Sequence, residues 1–109
     1  MTTKYTLKTK SVNSKSLFNE VSDFISDIID GFGIIWDSDS QRDAIIEVIE
    51  EFMEDLQNDN RIEQWDIVCD ARNNKQEDVK NKIVHLEVHY KQKNCFNTTK
   101  LLYKIEETE

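Results

Sequence analysis

The strongest pattern in the chain is helical and covers residues 17–56. Apolar residues recur there every three or four positions, which is the spacing of a helix that buries one face. The first predicted helix has the apolar stripe Leu17, Val21, Phe24, Ile25, Ile28 and Ile29. The second has the stripe Ile45, Val48, Ile49, Phe52, Met53 and Leu56. Acidic residues fill the other side of the second helix, so we expect that side to face solvent.

Residues that favour helix ends flank both stripes. Asn13 or Ser14 can cap the start of the first helix, and Gly31 can end it. Ser38 and Gln41 match a capping box at the start of the second helix. Two separate helices, rather than one long one, are therefore predicted.

Polar and apolar residues alternate in four other segments, which is typical of strands with one wet face. The alternation is clearest from Ile83 to Tyr90, and it is weaker in Lys4–Thr9, Ile62–Asp70 and Thr98–Ile105. The order of elements is thus one strand, two helices and three strands. Helices segregated from a mostly antiparallel sheet predict a single α+β domain over residues 1–109. We expect a two-layer sandwich in which two helices pack on about four strands.

The charge of the chain limits the partners it can bind. Its 109 residues carry a net charge of −8, and the sequence pI is about 4.7. Such a field repels nucleic-acid phosphates and anionic membrane surfaces, so we expect direct contact with neither. No apolar run approaches the roughly 20 residues of a transmembrane helix. Residues 1–6 show no signal-peptide pattern, so we expect the chain to be made and kept in a cytoplasm.

Candidate metal sites in the sequence lack the geometry that an ion needs. His85 and His89 are four positions apart, which on a strand separates them by about 13 Å, too far for one ion. The run from Asp37 to Asp43 resembles the start of a calcium loop. Such a loop needs glycine at its sixth position and glutamate at its twelfth, where this chain has Arg42 and Val48. We therefore expect no metal and no cofactor.

Nucleophiles and phosphate-binding loops give no stronger signal. Gly31-Phe32-Gly33 is a lone GxG that follows a helix rather than a strand, so a helix end is the better interpretation. Cys69 and Cys95 fit no zinc spacing and are expected to be reduced thiols. No serine or cysteine lies in a recognisable nucleophile motif. We therefore predict that the chain is not an enzyme.

One region of the sequence is similar to a known family. Its elements in chain order are Phe52–Leu56, Trp65–Asp70 ending in Val68-Cys69-Asp70, Asn73-Asn74, Val79, and the alternating segment Ile83–Tyr90. This series, over about residues 45–105, resembles the C-terminal domain of contractile phage tail sheath proteins. Asn81-Lys82 and Gln92-Lys93-Asn94 stand where that family usually has a glycine before the long strand and prolines after it. The large N-terminal parts of a sheath have no counterpart here. The resemblance therefore implies a short relative in a tail, neck or baseplate ring.

The resemblance also implies a mode of assembly. In sheath proteins, terminal arms add strands to the sheets of neighbouring subunits, which is β-augmentation. In this chain residues 1–10 and 97–109 are the candidate arms. The side chains expected at such an interface are Tyr5, Leu7, Leu101, Tyr103, Ile105 and Trp36. The predicted partners are copies of the chain in a homo-oligomeric ring and other phage tail or neck proteins, all within the virion.

A second class of function stays open. A small acidic intracellular regulator or inhibitor, such as a DNA mimic or an immunity-type protein, would also fit this size and a charge of −8. It would bind a basic protein partner with steep salt dependence. The position of the carboxylates distinguishes the two classes. A mimic arranges them in rows at phosphate-like spacing, whereas a ring protein buries apolar edge strands against copies of itself.

Overall fold

The computed structural model describes residues 2–31 and 39–108, and its elements follow the predicted order, with one additional short helix between the second and third strands. In chain order they are β1 (Thr2–Lys10), α1 (Lys15–Gly31), α2 (Asp39–Asn58), β2 (Ile62–Val68), α3 (Gln76–Lys80), β3 (Ile83–Gln92) and β4 (Thr98–Thr108). The predicted fold class, an α+β two-layer sandwich, is confirmed. Within the described ranges, no helix is both long enough and apolar enough to cross a membrane.

The sheet is antiparallel throughout, and its strand order is β1-β4-β3-β2. The last strand of the chain therefore lies between the first strand and β3. β1 and β2 form the two edges of the sheet. Because each strand runs against its neighbour, the two edge strands also run in opposite directions.

The long helices cover one face of this sheet and form a continuous core with it. Val21 and Ile25 on α1 and Ile49 and Met53 on α2 are completely buried, which confirms the two predicted apolar stripes. The strands contribute every second residue to the same core, namely Val84, Leu86, Val88, Tyr90, Leu101, Tyr103 and Ile105. The rings of Phe24 and Phe52 stack with centroids 4.0 Å apart and so join the two helices.

Backbone hydrogen bonds show how the helices begin and end. The carbonyl of Ser14 accepts a hydrogen bond from the N–H of Phe18 at 3.0 Å, so Ser14 occupies the N-cap position of α1. At the other end of α2, the N–H of Arg61 donates to the Leu56 carbonyl and that of Asn60 to the Gln57 carbonyl. With Asn60 at φ 62°, this pattern is a Schellman cap in which asparagine takes the usual place of glycine.

All four strands differ in extent from the sequence prediction. β3 continues two residues past its alternating segment, to Gln92, because Lys91 pairs with Thr98 and Gln92 with Ile62. β1 and β4 extend beyond their alternating segments because they pair along their whole length, from Thr2 opposite Thr108 to Lys10 opposite Lys100. β2 is shorter and ends at Val68. The reason is that the carbonyl of Asp70 accepts two backbone N–H groups of the following turn, at 2.9 and 3.2 Å. The predicted capping residue Ser38 lies outside the described residues.

Candidate assembly interface

The structure places the predicted interface side chains in different settings. Three of them are on β4 and are at most 2% exposed, namely Leu101, Tyr103 and Ile105. These side chains belong to the core of the chain itself. Tyr5 and Leu7 are half-buried on the edge strand β1 and pack against that core. Trp36 lies outside the described residues.

Of the two predicted terminal arms, only the N-terminal one forms a sheet edge. β1 pairs with β4 on one side, and within the described ranges no strand pairs with its other side. β4 pairs with both β1 and β3, so neither of its sides is open. A role of residues 97–109 as an exchanged arm stays a prediction, and it would require β4 to leave this sheet. The second open edge is β2, which the sequence analysis did not single out.

The β1 edge is anchored to the core on one face and carries lysines on the other. The hydroxyl of Tyr5 lies 2.8 Å from Oγ of Ser26 on α1, and its ring is tilted against that of Tyr103 at a centroid distance of 5.7 Å. Lys4, Lys8 and Lys10 are exposed on the opposite face. Lysines on an edge strand are a common protection against unselective pairing. This edge is therefore suited to a partner that is not itself basic.

The β2 edge is held by polar contacts and has acidic residues. The indole N–H of Trp65 donates to Oε1 of Gln57 at 3.1 Å, and Nε2 of Gln57 donates to the Glu63 carbonyl at 3.0 Å. The ammonium of Lys91 lies 3.0 Å from the carboxylate of Glu63 and lowers its pKa. Asp66 is exposed on the same strand. The β2 edge thus differs in charge from the β1 edge.

Two asparagines extend the β2 side of the sheet beyond the end of the strand. Oδ1 of Asn74 accepts the N–H of His85 at 2.7 Å, and Nδ2 of Asn74 donates to the carbonyl of His85 at 3.0 Å. One side-chain amide therefore pairs with β3 as a backbone peptide would. Nδ2 of Asn73 donates to the carbonyls of Val68 and His85, at 2.9 and 3.1 Å. Asn74 is only 8% exposed, so these bonds fix the turn after β2 against β3.

The sheet face that the helices leave uncovered is rich in lysine. The strand register places six lysines on it, which we call the lysine face: Lys4, Lys8, Lys10, Lys91, Lys100 and Lys104. The same face carries the carboxylates of Asp66, Glu87 and Glu106, and that of Glu63 joins it by its ion pair with Lys91. Six positive charges and four negative ones leave about +2 on this face, in a chain whose net charge is −8.

The positive charge is concentrated where β1 meets β4. Lys10 and Lys100 lie directly opposite each other in the register. Among the described side chains, neither of them forms an ion pair, and the same holds for Lys8. Like charges at directly opposite positions destabilise a sheet. Beside this pair is an open depression of about 330 Å³, lined by residues that include Thr6, Lys8, His85, Leu102 and Lys104.

The outer side of the helices carries the opposite charge. We call its exposed carboxylates the acidic layer: Asp23, Asp27, Asp30, Asp43, Glu47, Glu50, Glu51, Glu54 and Asp55. Neither α1 nor α2 has a basic residue in its last turn, where a cation would favour the helix dipole. One more carboxylate on α1, that of Glu20, is bound by the guanidinium of Arg61, which lowers the pKa of Glu20. Charge is therefore separated between the two layers of the molecule.

The two histidines lie beside carboxylates, and Cys69 is buried in the core. Nε2 of His85 lies 3.4 Å from the carboxylate of Asp78, and Nε2 of His89 lies 3.1 Å from that of Glu87. Each imidazole thus has its own carboxylate. Over residues 2–31 and 39–108, no group of three or more side chains is placed to hold a metal ion. Burial raises the pKa of Cys69 to about 11, so this thiol stays protonated and is a weak nucleophile at neutral pH.

The lysine face could not be found from the sequence alone. Its lysines come from three strands, and they meet only because β4 pairs with β1 and β3 in this particular register. The available signal was the spacing of Lys4, Lys8 and Lys10, which puts them on one side of a strand.

No family model, curated protein or solved structure matches the chain.

Proposed function

We propose that this chain is a structural bacteriophage virion protein, a component of a tail, neck or baseplate ring that assembles through edge-strand pairing. One observation carries the proposal: among the described strands, the two edges of the sheet are unpaired on their outer sides, differ in charge and run in opposite directions. The partners are copies of the chain and other tail or neck proteins. The resemblance of residues 45–105 to a sheath domain motivates the virion role.

Strand direction favours head-to-tail assembly. When one copy is placed beside another by translation along the sheet, β2 of the first lies next to β1 of the second. These two strands are antiparallel, so the new pair continues the alternation of the whole sheet. A contact between two different edges is heterologous, and it closes a ring when its rotation permits.

Charge favours the same arrangement over a symmetric one. A two-fold axis perpendicular to the sheet would bring β1 of two copies together on the same face. Lys4, Lys8 and Lys10 would then lie beside their own counterparts, and such like-charge pairs are unfavourable. In the head-to-tail pair these lysines instead meet the strand that carries Asp66. The edges therefore select different partners rather than identical ones.

Two local features support the relation to sheath domains. Lys82 has φ 60°, a left-handed conformation that glycine adopts most easily, at the position where that family usually has glycine. The asparagine pair quoted for the resemblance has a physical task here, because Asn73 and Asn74 bind the carbonyl of His85. Both features support the resemblance, because each gives a quoted position of the pattern a structural task in this chain.

The virion role is tested by quantitative mass spectrometry of purified particles of the source phage. We expect the chain to be present in a fixed ratio to the major capsid protein, at a low multiple of six for a tail or neck ring. Its absence from particles, with abundance in infected cells, would contradict the proposal.

Edge pairing has its own test, which uses Asp66→Lys. This variant places a positive charge on the β2 edge, opposite the β1 lysines of the next copy. In the wild-type protein we expect slower amide hydrogen exchange in β1 and β2 as protein concentration rises. The variant should lose this effect. Glu77→Lys on α3, with the same change of charge, should keep it. Exchange rates that do not depend on concentration would contradict edge pairing.

The acidic layer favours a second candidate function, that of an acidic regulator which binds a basic protein. Nine exposed carboxylates lie on the outer side of two helices, which is a surface that a basic partner could bind. This candidate predicts that the chain is absent from the particle. It also predicts a complex in infected cells that dissociates at high salt. The same mass spectrometry experiment, extended to the infected lysate, separates the two functions.

A further inference from the structure

We infer that the lysine face binds the acidic layer of a second copy of this chain, so that copies stack sheet against helices. This contact is independent of the virion role and of the pairing of strand edges. It uses the two broad surfaces of the sandwich, whereas edge pairing uses its sides. Charge complementarity between these two surfaces of one and the same molecule carries the inference.

Each surface is electrostatically unfavourable when it is alone. On the lysine face, Lys10 and Lys100 are directly opposite each other, and neither pairs with an anion among the described side chains. On α2, Glu50 and Glu54 are four positions apart, and Glu47 and Glu51 repeat that spacing. Acidic pairs at this spacing repel each other and destabilise a helix. A contact between the two surfaces would relieve both repulsions at once.

The two charged surfaces also match in length. The carboxylates of α2 extend from Asp43 to Asp55, which is about 18 Å along a helix. The lysines of β1 extend from Lys4 to Lys10, which is about 20 Å along a strand. An α2 helix laid along β1 and β4 would therefore place its carboxylates over the full row of lysines.

A second copy fits the lysine face better than a nucleic acid does. Among the described residues, no phenylalanine, tyrosine or tryptophan points to this face, and its two imidazoles, those of His85 and His89, each lie against a carboxylate, so bases would have little on which to stack. The nine carboxylates of the acidic layer would also repel a long polyanion that extends past the edge of the sheet. A second copy instead presents those carboxylates as the ligand.

The experiment reverses the charge of each surface separately. Lys100→Glu with Lys104→Glu changes the lysine face on the interior strand β4, so both sheet edges keep their residues. Glu50→Lys with Glu54→Lys changes the acidic layer. Sedimentation velocity at low salt should show self-association of the wild-type protein that disappears at about 1 M salt, where the Debye length is about 3 Å. Each variant alone should lose this association.

An equimolar mixture of the two variants is the decisive sample. In the mixture, the reversed sheet face meets the reversed helix layer, so association should return. Lys75→Glu with Lys80→Glu serves as the control for the first variant, because it changes the net charge equally but lies outside both surfaces. Asp59→Lys with Glu77→Lys serves in the same way for the second. Both controls should associate like the wild-type protein.

Three outcomes would overturn the inference. The first is a wild-type protein that stays monomeric at low salt. The second is a mixture that fails to associate although both variants fold, as judged by circular dichroism. The third is binding of a single-stranded oligonucleotide that the Lys100 and Lys104 variant loses, which would assign the face to a polyanion.

Asp66→Lys separates this contact from edge pairing, because it adds positive charge to the lysine face while it weakens the β2 edge. It should therefore strengthen stacking.

Discussion

The two faces of the sheet come from the same strands but have opposite character. On β4, Leu101 points to the helices and is completely buried, whereas the adjacent Leu102 points to the lysine face and is half-buried. Along β3, buried and half-buried residues alternate from Ile83 to Tyr90. Only the parity of the position decides whether a residue contributes to the core or to a surface that can bind a partner. Substitutions at neighbouring positions of one strand should therefore act on the core or on the uncovered face, but not on both.

The largest expected effect tests the comparison directly, because it uses the same substitution on both faces. Leu101→Ala should lower the free energy of unfolding by about 3 kcal/mol, since it leaves a cavity between sheet and helices. Leu102→Ala should lower it by about 1 kcal/mol or less, because solvent already reaches this side chain. Urea denaturation of the two variants measures the difference. Equal losses would show that the lysine face is as tightly packed as the core.

The next effect concerns the thiol of Cys69, which directly follows β2 and is buried under the helices with the core residues of the sheet. Burial raises the pKa of Cys69 from 9.0 to about 11, so the folded state favours the protonated form. The contribution of the protonated thiol to the free energy of unfolding is fully present below pH 9. It is lost as the pH rises from 9 to about 11. The loss should be on the order of 2–3 kcal/mol. Denaturation curves at several pH values measure it.

Cys69→Ala provides the control for this pH dependence. It should be less stable at neutral pH because of the cavity, but its stability should fall less between pH 9 and pH 11 than that of the wild-type protein. Parallel curves for the two proteins would mean that the thiol is accessible to solvent.

A smaller effect is expected at the border of the two faces. Asn74→Ala removes the amide that pairs with His85, and it leaves one donor and one acceptor of β3 without that partner. We expect a loss of about 2 kcal/mol in the free energy of unfolding. Asn81→Ala, an exposed asparagine in the next turn, should change it by less than about 0.5 kcal/mol. If Asn74→Ala leaves the free energy of unfolding unchanged, water replaces the hydrogen bonds of the side chain.

The smallest effects come from two tyrosines on the covered face. The hydroxyl of Tyr103 is buried without a hydrogen-bond partner among the described residues, and burial raises its pKa. Tyr103→Phe should therefore leave stability unchanged or raise it by about 1 kcal/mol. Tyr5→Phe should lower stability by about 1 kcal/mol, since it breaks the bond to Ser26. Thermal unfolding of both variants should thus give shifts of opposite sign, and shifts of the same sign would contradict this assignment.

Much of the fold could be predicted because its signals are local. The helical stripes and the alternation from Ile83 to Tyr90 depend on residues a few positions apart, and the structure confirms them. The order of the strands is a non-local property. Thr98–Ile105 alternates as an edge strand could, and nothing in its own residues shows that it lies inside the sheet.

The candidate interface was less accessible to sequence analysis for the same reason. The sequence places the predicted side chains on β4 in a terminal strand that could pair with another subunit, but the register puts them in the core. The lysine face depends on which residues lie opposite each other across strands, as Lys10 and Lys100 do. The total charge of −8 conceals this local excess of positive charge.

The pairing of the first strand with the last also determines when the sheet can be completed. Lys10 pairs with Lys100, ninety positions later in the chain. During synthesis β1 therefore waits for almost the whole domain before its partner is available, and such non-local pairing slows folding. In that interval β1 is an unpaired strand that could join a neighbouring nascent chain, and its lysines oppose this error. The same side chains would thus protect the newborn protein and later select its partner.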